Sequence, residues 1–334
     1  MRWEDLELEE LTVVDSTQEV ATALAPALGA GVEECWVDMD GARMRYLRIK
    51  SPSFDRLGRG FLAKDARNGA PSTPLILVHG LLGYSFSWRY TMPALSRYAT
   101  VYAPDMMGAG FSDRPFGLDH SLRGTARRLL RFISGLGISS FDLLGTSHGG
   151  AVAMMAAAEC LERNSGLHLR RLVLVAPVNP YSAHGKRLAP FFGSNLGAAL
   201  FRLVIVRTPF SYPYWHRRLY ADRSRIPAGA LEGYKAPLAK PGLIEHALSI
   251  VRTWTEDLRE LEETLPKLAG VPTLLMWGEK DPAVYASSAV RLAEFFPDSK
   301  LIVFPGIGHL PYEECPEEFN RELIEFLTRE KLSA

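Results

Sequence analysis

Cysteine is nearly absent, with Cys35, Cys160 and Cys315 alone in a chain of 334 residues. Three thiols so far apart build neither a disulfide framework nor a metal-ligand cluster, and fit free, mostly buried groups in a reducing compartment. Net charge is missing too: 38 basic residues balance 38 acidic ones. A dedicated nucleic-acid binder would carry a basic excess, so that class is excluded. No apolar run approaches the about 18 residues of a membrane span. The acidic stretch MRWEDLELEELTVV lacks the layout of a secretory signal, and a cytoplasmic protein is the expectation. No repeat period or low-complexity segment occurs. What is present is ordinary globular composition, 47% hydrophobic and 23% charged, enough to bury a core without staples. At about 150 residues per domain, the length alone suggests two domains.

Patterning refines this. Residues 1–32 read as a polar lead-in. From Glu33 to Lys50, Cys35, Val37 and Met39 alternate with polar neighbours, and Met44 and Tyr46 resume the alternation after Asp40-Gly41. That is a hairpin with a tight turn. The Gly-, Pro- and Ser-rich stretch from Ser51 to Pro74 reads as a surface loop. Short apolar runs follow at Leu75–Val78, Thr100–Ala103, Phe141–Leu144, Leu172–Ala176, Thr273–Trp277 and Leu301–Phe304. Continuous apolar runs are expected of strands buried on both faces. Helical periodicity lies between them. Leu122, Ala126, Leu129, Ile133 and Leu136 form one stripe, with Arg123, Arg127 and Arg131 along another line, read as a solvated outer face. Phe319, Leu323, Phe326 and Leu327 mark a second such face. Alternating strand and helix predicts an α/β fold with a mostly parallel sheet covered on both sides.

One stretch breaks the alternation. Almost a hundred residues after Ala176 contain no convincing strand, while NLGAALFRLVIV and LIEHALSIVRTW read as helices. A helical lid inserted over the sheet's edge is expected. Its rings (Phe191, Phe192, Phe210, Tyr212, Tyr214, Trp215) suit either the wall of an apolar pocket or packing within the lid.

The sharpest local signal is Gly145-Thr146-Ser147-His148-Gly149, a G-x-S-x-G between an apolar run and an Ala-rich helix. A serine pushed out on a strained strand-to-helix turn fits that setting, with Gly145 and Gly149 required by close backbone approach. A serine hydroxyl needs a base, and the base needs an orienter. His309, in FPGIGHLPYEE, follows the last predicted strand on the same sheet edge. Asp281 follows the strand before it, three residues past Gly278, with Pro282 placed to open the next helix. Glu279 is the alternative acid. The backbone N–H groups of Leu81 and His148 are the candidate oxyanion donors. His79 is read as bracing its loop by hydrogen bonds rather than as a second base.

These pieces together resemble the α/β-hydrolase superfamily, in its lidded branch of carboxylesterases, epoxide hydrolases, haloalkane dehalogenases and carbon–carbon bond hydrolases. The matching segments are HGLLG at 79–83, APDMMGAGFSDRP at 103–115, GTSHGG at 145–150, WGEKDPAV at 277–284 and GIGHLPYEECPEEF at 306–319. The resemblance implies Ser147 as nucleophile, Asp281 as acid and His309 as base, and a structural role for the loop of Asp105, Gly108 and Gly110. Epoxide hydrolases and dehalogenases carry aspartate where this chain has Ser147. The position after the sixth strand, an alternative place for the acid, holds Asn179. Carbon–carbon hydrolases tend to have Trp after the catalytic histidine, and here it is Leu310.

The expected protein is a single α/β core at 33–177 and 262–334, with a helical cap at 178–261. It would be a serine hydrolase of carboxylic esters or related acyl compounds, acting on an apolar small-molecule substrate with no cofactor or metal. The alternatives are a carbon–carbon bond hydrolase or perhydrolase using the same three residues, or a ligand receptor on this scaffold. The cap and the Ser121–Leu136 helix carry an excess of Arg and Lys, which raises the question of anionic substrates.

Overall fold

The computed structural model describes residues 30–51, 73–162, 166–182, 191–207 and 211–329. The lead-in at 1–29 and the loop at 52–72 fall outside the described residues. In chain order the strands and helices are β1 (Val32–Met39), β2 (Ala42–Ile49), β3 (Leu75–Val78), α1 (Thr91–Leu95), β4 (Val101–Pro104), α2 (Leu122–Gly135), β5 (Ser140–Thr146), α3 (His148–Glu162) and β6 (His168–Val175). There follow α4 (Asn195–Arg207), α5 (Ser211–Arg218), α6 (Ala230–Lys235), α7 (Leu243–Thr264), β7 (Thr273–Gly278), α8 (Ser287–Ala293), β8 (Ser299–Phe304), α9 (Pro311–Glu314) and α10 (Pro316–Thr328).

The strands form one sheet in the order β1-β2-β4-β3-β5-β6-β7-β8. The hairpin forms as its alternation predicts, with Met39 facing Ala42 across the turn. Asp40 and Gly41 both take positive φ, 60° and 82°, the pairing a two-residue turn needs to match strand twist. β2 runs antiparallel to β4, and all pairs from β4 to β8 are parallel. Each predicted apolar run is one of these strands. β3 and β7 are buried along their whole length, because helices cover both faces.

Two apolar layers result. One holds the stripe of α2 together with α3, the C-terminal half of α7 and α8. The other holds α1 and α10, where Phe319 and Leu323 are fully buried. Ser121 caps α2 by accepting the Gly124 N–H at 3.0 Å.

The arginine row of α2 is not simply a solvated face. Arg123 and Arg127 both bond the buried carboxylate of Glu159 on α3, Arg123 also reaches Glu260, and Arg131 pairs with Asp40 at the hairpin turn. A buried carboxylate needs charge-assisted partners, and the row supplies them. Contacts from distant parts of the chain thus turn an apparent surface into a seam.

Between β6 and β7 the described residues are helical, α4 to α7. The helix α7 runs 22 residues without a break, so residue 261 lies inside it. Its first half stands over the carboxyl ends of the strands, and Leu258 and Leu261 sink into the core layer beside α3.

Candidate active site

The candidate nucleophile stands where β5 gives way to α3. Ser147 has φ 53°, a left-handed conformation costly for any residue but glycine. It is held there from both sides: its N–H donates to Val175 O at 3.0 Å, and its carbonyl accepts the Val178 N–H at 2.9 Å. The flanking glycines are required by space. A Cβ on Gly145 would lie 2.2 Å from Gly149 O, and one on Gly149 2.2 Å from His79 O. The loop after β3 passes so close that a Cβ on Gly80 would sit 3.0 Å from Ser147 Cβ.

Asp281 and His309 meet beyond the ends of β7 and β8. His309 Nδ1 lies 2.7 Å from Asp281 Oδ2, with both residues buried. A carboxylate only accepts, so Nδ1 carries the proton and Nε2 of the neutral ring presents its lone pair. Asp281 Oδ1 accepts the N–H groups of Ala283 and Val284 at 2.7 and 2.9 Å. These two bonds form a turn at the place where Pro282 was expected to open a helix, and α8 begins only at Ser287. Glu279 points elsewhere, accepting the Gly306 N–H at the surface. Asn179 is a buried brace, donating to Pro177 O and Ser288 Oγ.

The loop bearing His309 is fastened to the segment between β6 and β7 that carries α4 to α7. The His309 N–H donates to Leu219 O at 2.7 Å. Glu314 accepts the N–H groups of Gly308 and Ala221 at 2.7 and 3.1 Å. Deeper still, the buried Glu313 receives both Nη atoms of Arg89, at 2.7 and 3.0 Å, and the hydroxyls of Tyr220 and Tyr234 from the cap.

Ser147, Asp281 and His309 therefore share one sheet edge, and the Asp281–His309 bond is formed. Among the described contacts no hydrogen bond joins His309 to Ser147. Nor does any described hydrogen bond use the N–H of Leu81 or of His148, the first residue of α3. Both N–H groups are uncommitted among the described contacts. Asp105 is the structural hub its loop implied, fully buried and accepting from Arg45, Ser85 N and Phe111 N.

His79 braces its loop. Its Nδ1 donates to Gly80 O at 2.9 Å and its Nε2 accepts the Met106 N–H at 3.0 Å. It lines a cavity of about 20 Å³ beside Leu81, Thr125, His148, His246 and Ile250. The described lid rings proposed as a pocket wall do not line it. Phe191, Tyr214 and Trp215 are exposed, and Phe210 lies outside the described residues. Its wall comes from the end of β3, the loops after β3 and β4, α2, α3 and α7 instead. The described cap arginines Arg217, Arg218, Arg223 and Arg225 are likewise exposed, and no Lys, Arg, Asp or Glu lines the cavity.

His246 was not singled out from the sequence, although Leu243, His246, Ala247 and Ile250 share one helical stripe. Burial pushes it down to about 2. Burial, and secondarily His79, pushes His148 down to about 4. The native state therefore holds fewer protons than the unfolded chain, whose histidines titrate near 6.5. Stability is full above that value and is lost as pH falls from about 6.5 towards 4, by ~3 kcal/mol for His148 alone. Urea melts at pH 7 and 4.5 should show the loss, and His148→Met should reduce it. An identical loss in that variant would refute the assignment.

Comparison with known proteins bears on the same segments. The model of the alpha/beta hydrolase fold matches residues 73–316. The chain belongs to the alpha/beta hydrolase family. This hydrolase is 28% identical over 265 residues to haloalkane dehalogenase 2 of Mycobacterium tuberculosis, covering 75% of this chain and 87% of that one. It is 27% identical over 266 residues to 2-hydroxy-6-oxo-2,4-heptadienoate hydrolase of Pseudomonas putida, covering 77% and 90%. Among solved structures, a meta-cleavage product hydrolase from Pseudomonas fluorescens superposes with TM-score 0.68 at 25% identity, over 87% of this hydrolase and 96% of that chain. No described helix of the hydrolase is long and apolar enough to cross a membrane.

Proposed function

We propose that this hydrolase cleaves carboxylic esters of small molecules through Ser147, Asp281 and His309. Ser147 Oγ attacks the acyl carbonyl as its proton passes to His309 Nε2. The Leu81 and His148 N–H groups stabilise the oxyanion. The imidazolium, steadied by Asp281, then protonates the departing alkoxide and leaves an acyl-enzyme. Water, deprotonated by His309, attacks that ester, and collapse releases the acid and restores Ser147. Residues 178–261 act as the cap over this centre.

The observation that carries the reading is the buried 2.7 Å Asp281–His309 pair beyond the sheet edge that presents Ser147 on its left-handed turn. The likeness to a dehalogenase does not carry dehalogenation over. That displacement forms an alkyl ester on a carboxylate nucleophile, and Ser147 is a hydroxyl. The 27% likeness to a heptadienoate hydrolase favours carbon–carbon cleavage as the second reading.

Fluorophosphonate labelling followed by intact mass tests the nucleophile. Ser147→Ala should lose the label and lower ester turnover on the order of a thousandfold or more. Retention of both would sink the assignment. Rates on an ester panel beside vinylogous diketones decide between the two readings.

A further inference from the structure

Helix α4 carries its large side chains on the outside. Leu196, Ala199, Leu200 and Leu203 are exposed, the three leucines at 68%, 43% and 53%. Positions 196, 199, 200 and 203 follow the i, i+3, i+4, i+7 spacing of one helix face. Gly197 and Ala198 are buried on the inward side, and Phe201 is half-buried. A helix at a protein surface ordinarily turns its apolar stripe to the core and a polar face to water. Here that polarity is reversed. The packing underneath gives the reason. Phe191 and Phe192 cross α4 at Gly197, where a Cβ would lie 1.9 Å from Phe191 O, and Phe192 meets Phe201 edge-on at 5.7 Å. That crossing sets how α4 is rotated, and the leucine stripe is left outside.

The stripe has apolar neighbours. Phe191, beside the N-terminal turn of α4, is exposed as well. α5 follows α4 after three residues and packs against it. On α5, Tyr214 and Trp215 are exposed, and the Arg218 guanidinium lies over both rings, 5.7 and 6.0 Å from their centres. An exposed apolar stripe bordered by polar groups marks a surface that meets another apolar body.

Charge decides what that body is. Residues 183–252 contain 11 Lys and Arg against 3 Asp and Glu, in a chain whose total charge is zero. Arg217, Arg218, Arg223 and Arg225 are exposed. Arg225 has Asp222 at 3.8 Å, and the other three meet no carboxylate among the described residues. A second copy of the chain would bring the same positive excess against itself. A bilayer surface with anionic headgroups is complementary instead. Leucines enter the acyl boundary, Tyr and Trp rings sit at headgroup level, and arginines meet the phosphates. With 13 residues α4 is too short to cross a bilayer, so it would lie in the plane of the interface. We propose that the outer face of α4 and α5 is a docking surface for anionic lipid bilayers. The assignment stands whichever bond the enzyme cleaves, and its test needs no turnover.

Co-sedimentation of the full chain with vesicles tests it. Vesicles of phosphatidylcholine with about one-third phosphatidylglycerol should hold the protein about tenfold or more tightly than phosphatidylcholine alone. Raising salt from about 0.1 to about 1 M should remove most of that preference. Leu196→Gln with Leu200→Gln keeps every charge and should weaken binding to the anionic vesicles about tenfold or more. Arg217→Ser with Arg218→Ser keeps every leucine and should bring the two vesicle types close together. Urea melts show whether each variant is folded, and the arginine pair gives a second reading on another helix. Native protein that stays off both vesicles, or a folded leucine variant that binds as tightly as native, overturns the proposal. So does dimerisation of the native protein in sedimentation equilibrium that the leucine variant abolishes, because a second copy would then cover the stripe.

Discussion

Asp281→Asn is expected to lower kcat for ester cleavage by about ten-thousandfold, an effect set by proton placement rather than by lost charge alone. In the native site Oδ1 accepts two backbone N–H groups, from Ala283 and Val284, and Oδ2 accepts from His309 Nδ1. An asparagine must keep its single oxygen toward the two backbone donors. Its NH2 then faces His309 Nδ1, donor against donor. The ring answers by moving its proton to Nε2, where it can no longer accept from Ser147. The fold should be untouched, because the turn at Asp281 keeps both of its bonds. Glu279→Gln, whose carboxylate accepts the Gly306 N–H at the surface and makes no described bond to His309, should stay near native activity and serves as the control. Steady-state rates on a p-nitrophenyl ester check the pair, and an Asp281→Asn enzyme within a hundredfold of native would refute the role.

The second large effect concerns stability. Glu313→Ala leaves the Arg89 guanidinium buried without its carboxylate and strips the Tyr220 and Tyr234 hydroxyls of their acceptor. Removing one partner of a buried ion pair costs on the order of 3–5 kcal/mol. Replacing both, as Arg89→Met with Glu313→Leu, should recover much of that, since no charge is then stranded. Urea denaturation of the three proteins measures it. Because Tyr220 and Tyr234 belong to the helical segment between β6 and β7, the single variant should also expose that segment to proteolysis before the sheet and its flanking helices. A loss below about 1 kcal/mol in Glu313→Ala would show that the network is not what binds this helical segment to Arg89 and the His309 loop.

The parts legible in the sequence were those fixed by local rules. Strands buried on both faces read as apolar runs, Asp40-Gly41 announced its hairpin, and Gly145 to Gly149 announced a tight turn before a helix. Asp281 was preferred to Glu279 for its spacing from Gly278 and for Pro282 after it, and it is Asp281 that bonds His309. The misreadings came from partners far off in the chain. Arg123 and Arg127 looked solvated because Glu159 and Glu260 are invisible to helix periodicity. Pro282 looked like a helix start because the grip of Asp281 on the next N–H groups is tertiary. Tyr214 and Trp215 could be read either as pocket wall or as packing within the lid, and they are exposed, because composition does not say which way a helix faces. His148 was noticed for its N–H and not for its ring, and His246 only gains meaning where α7 crosses the first loop.

The bonds from Leu219 and Ala221 to the His309 loop constrain how this hydrolase could be remodelled. A cap transplanted from a relative would have to bring a backbone carbonyl to the place of Leu219 O and an N–H to Glu314. A chimaera with its crossover anywhere between 222 and 309 would join a foreign cap edge to a native base loop. The two segments are bonded as one piece, and libraries that shuffle them together should keep the His309 loop seated where libraries that split them should not.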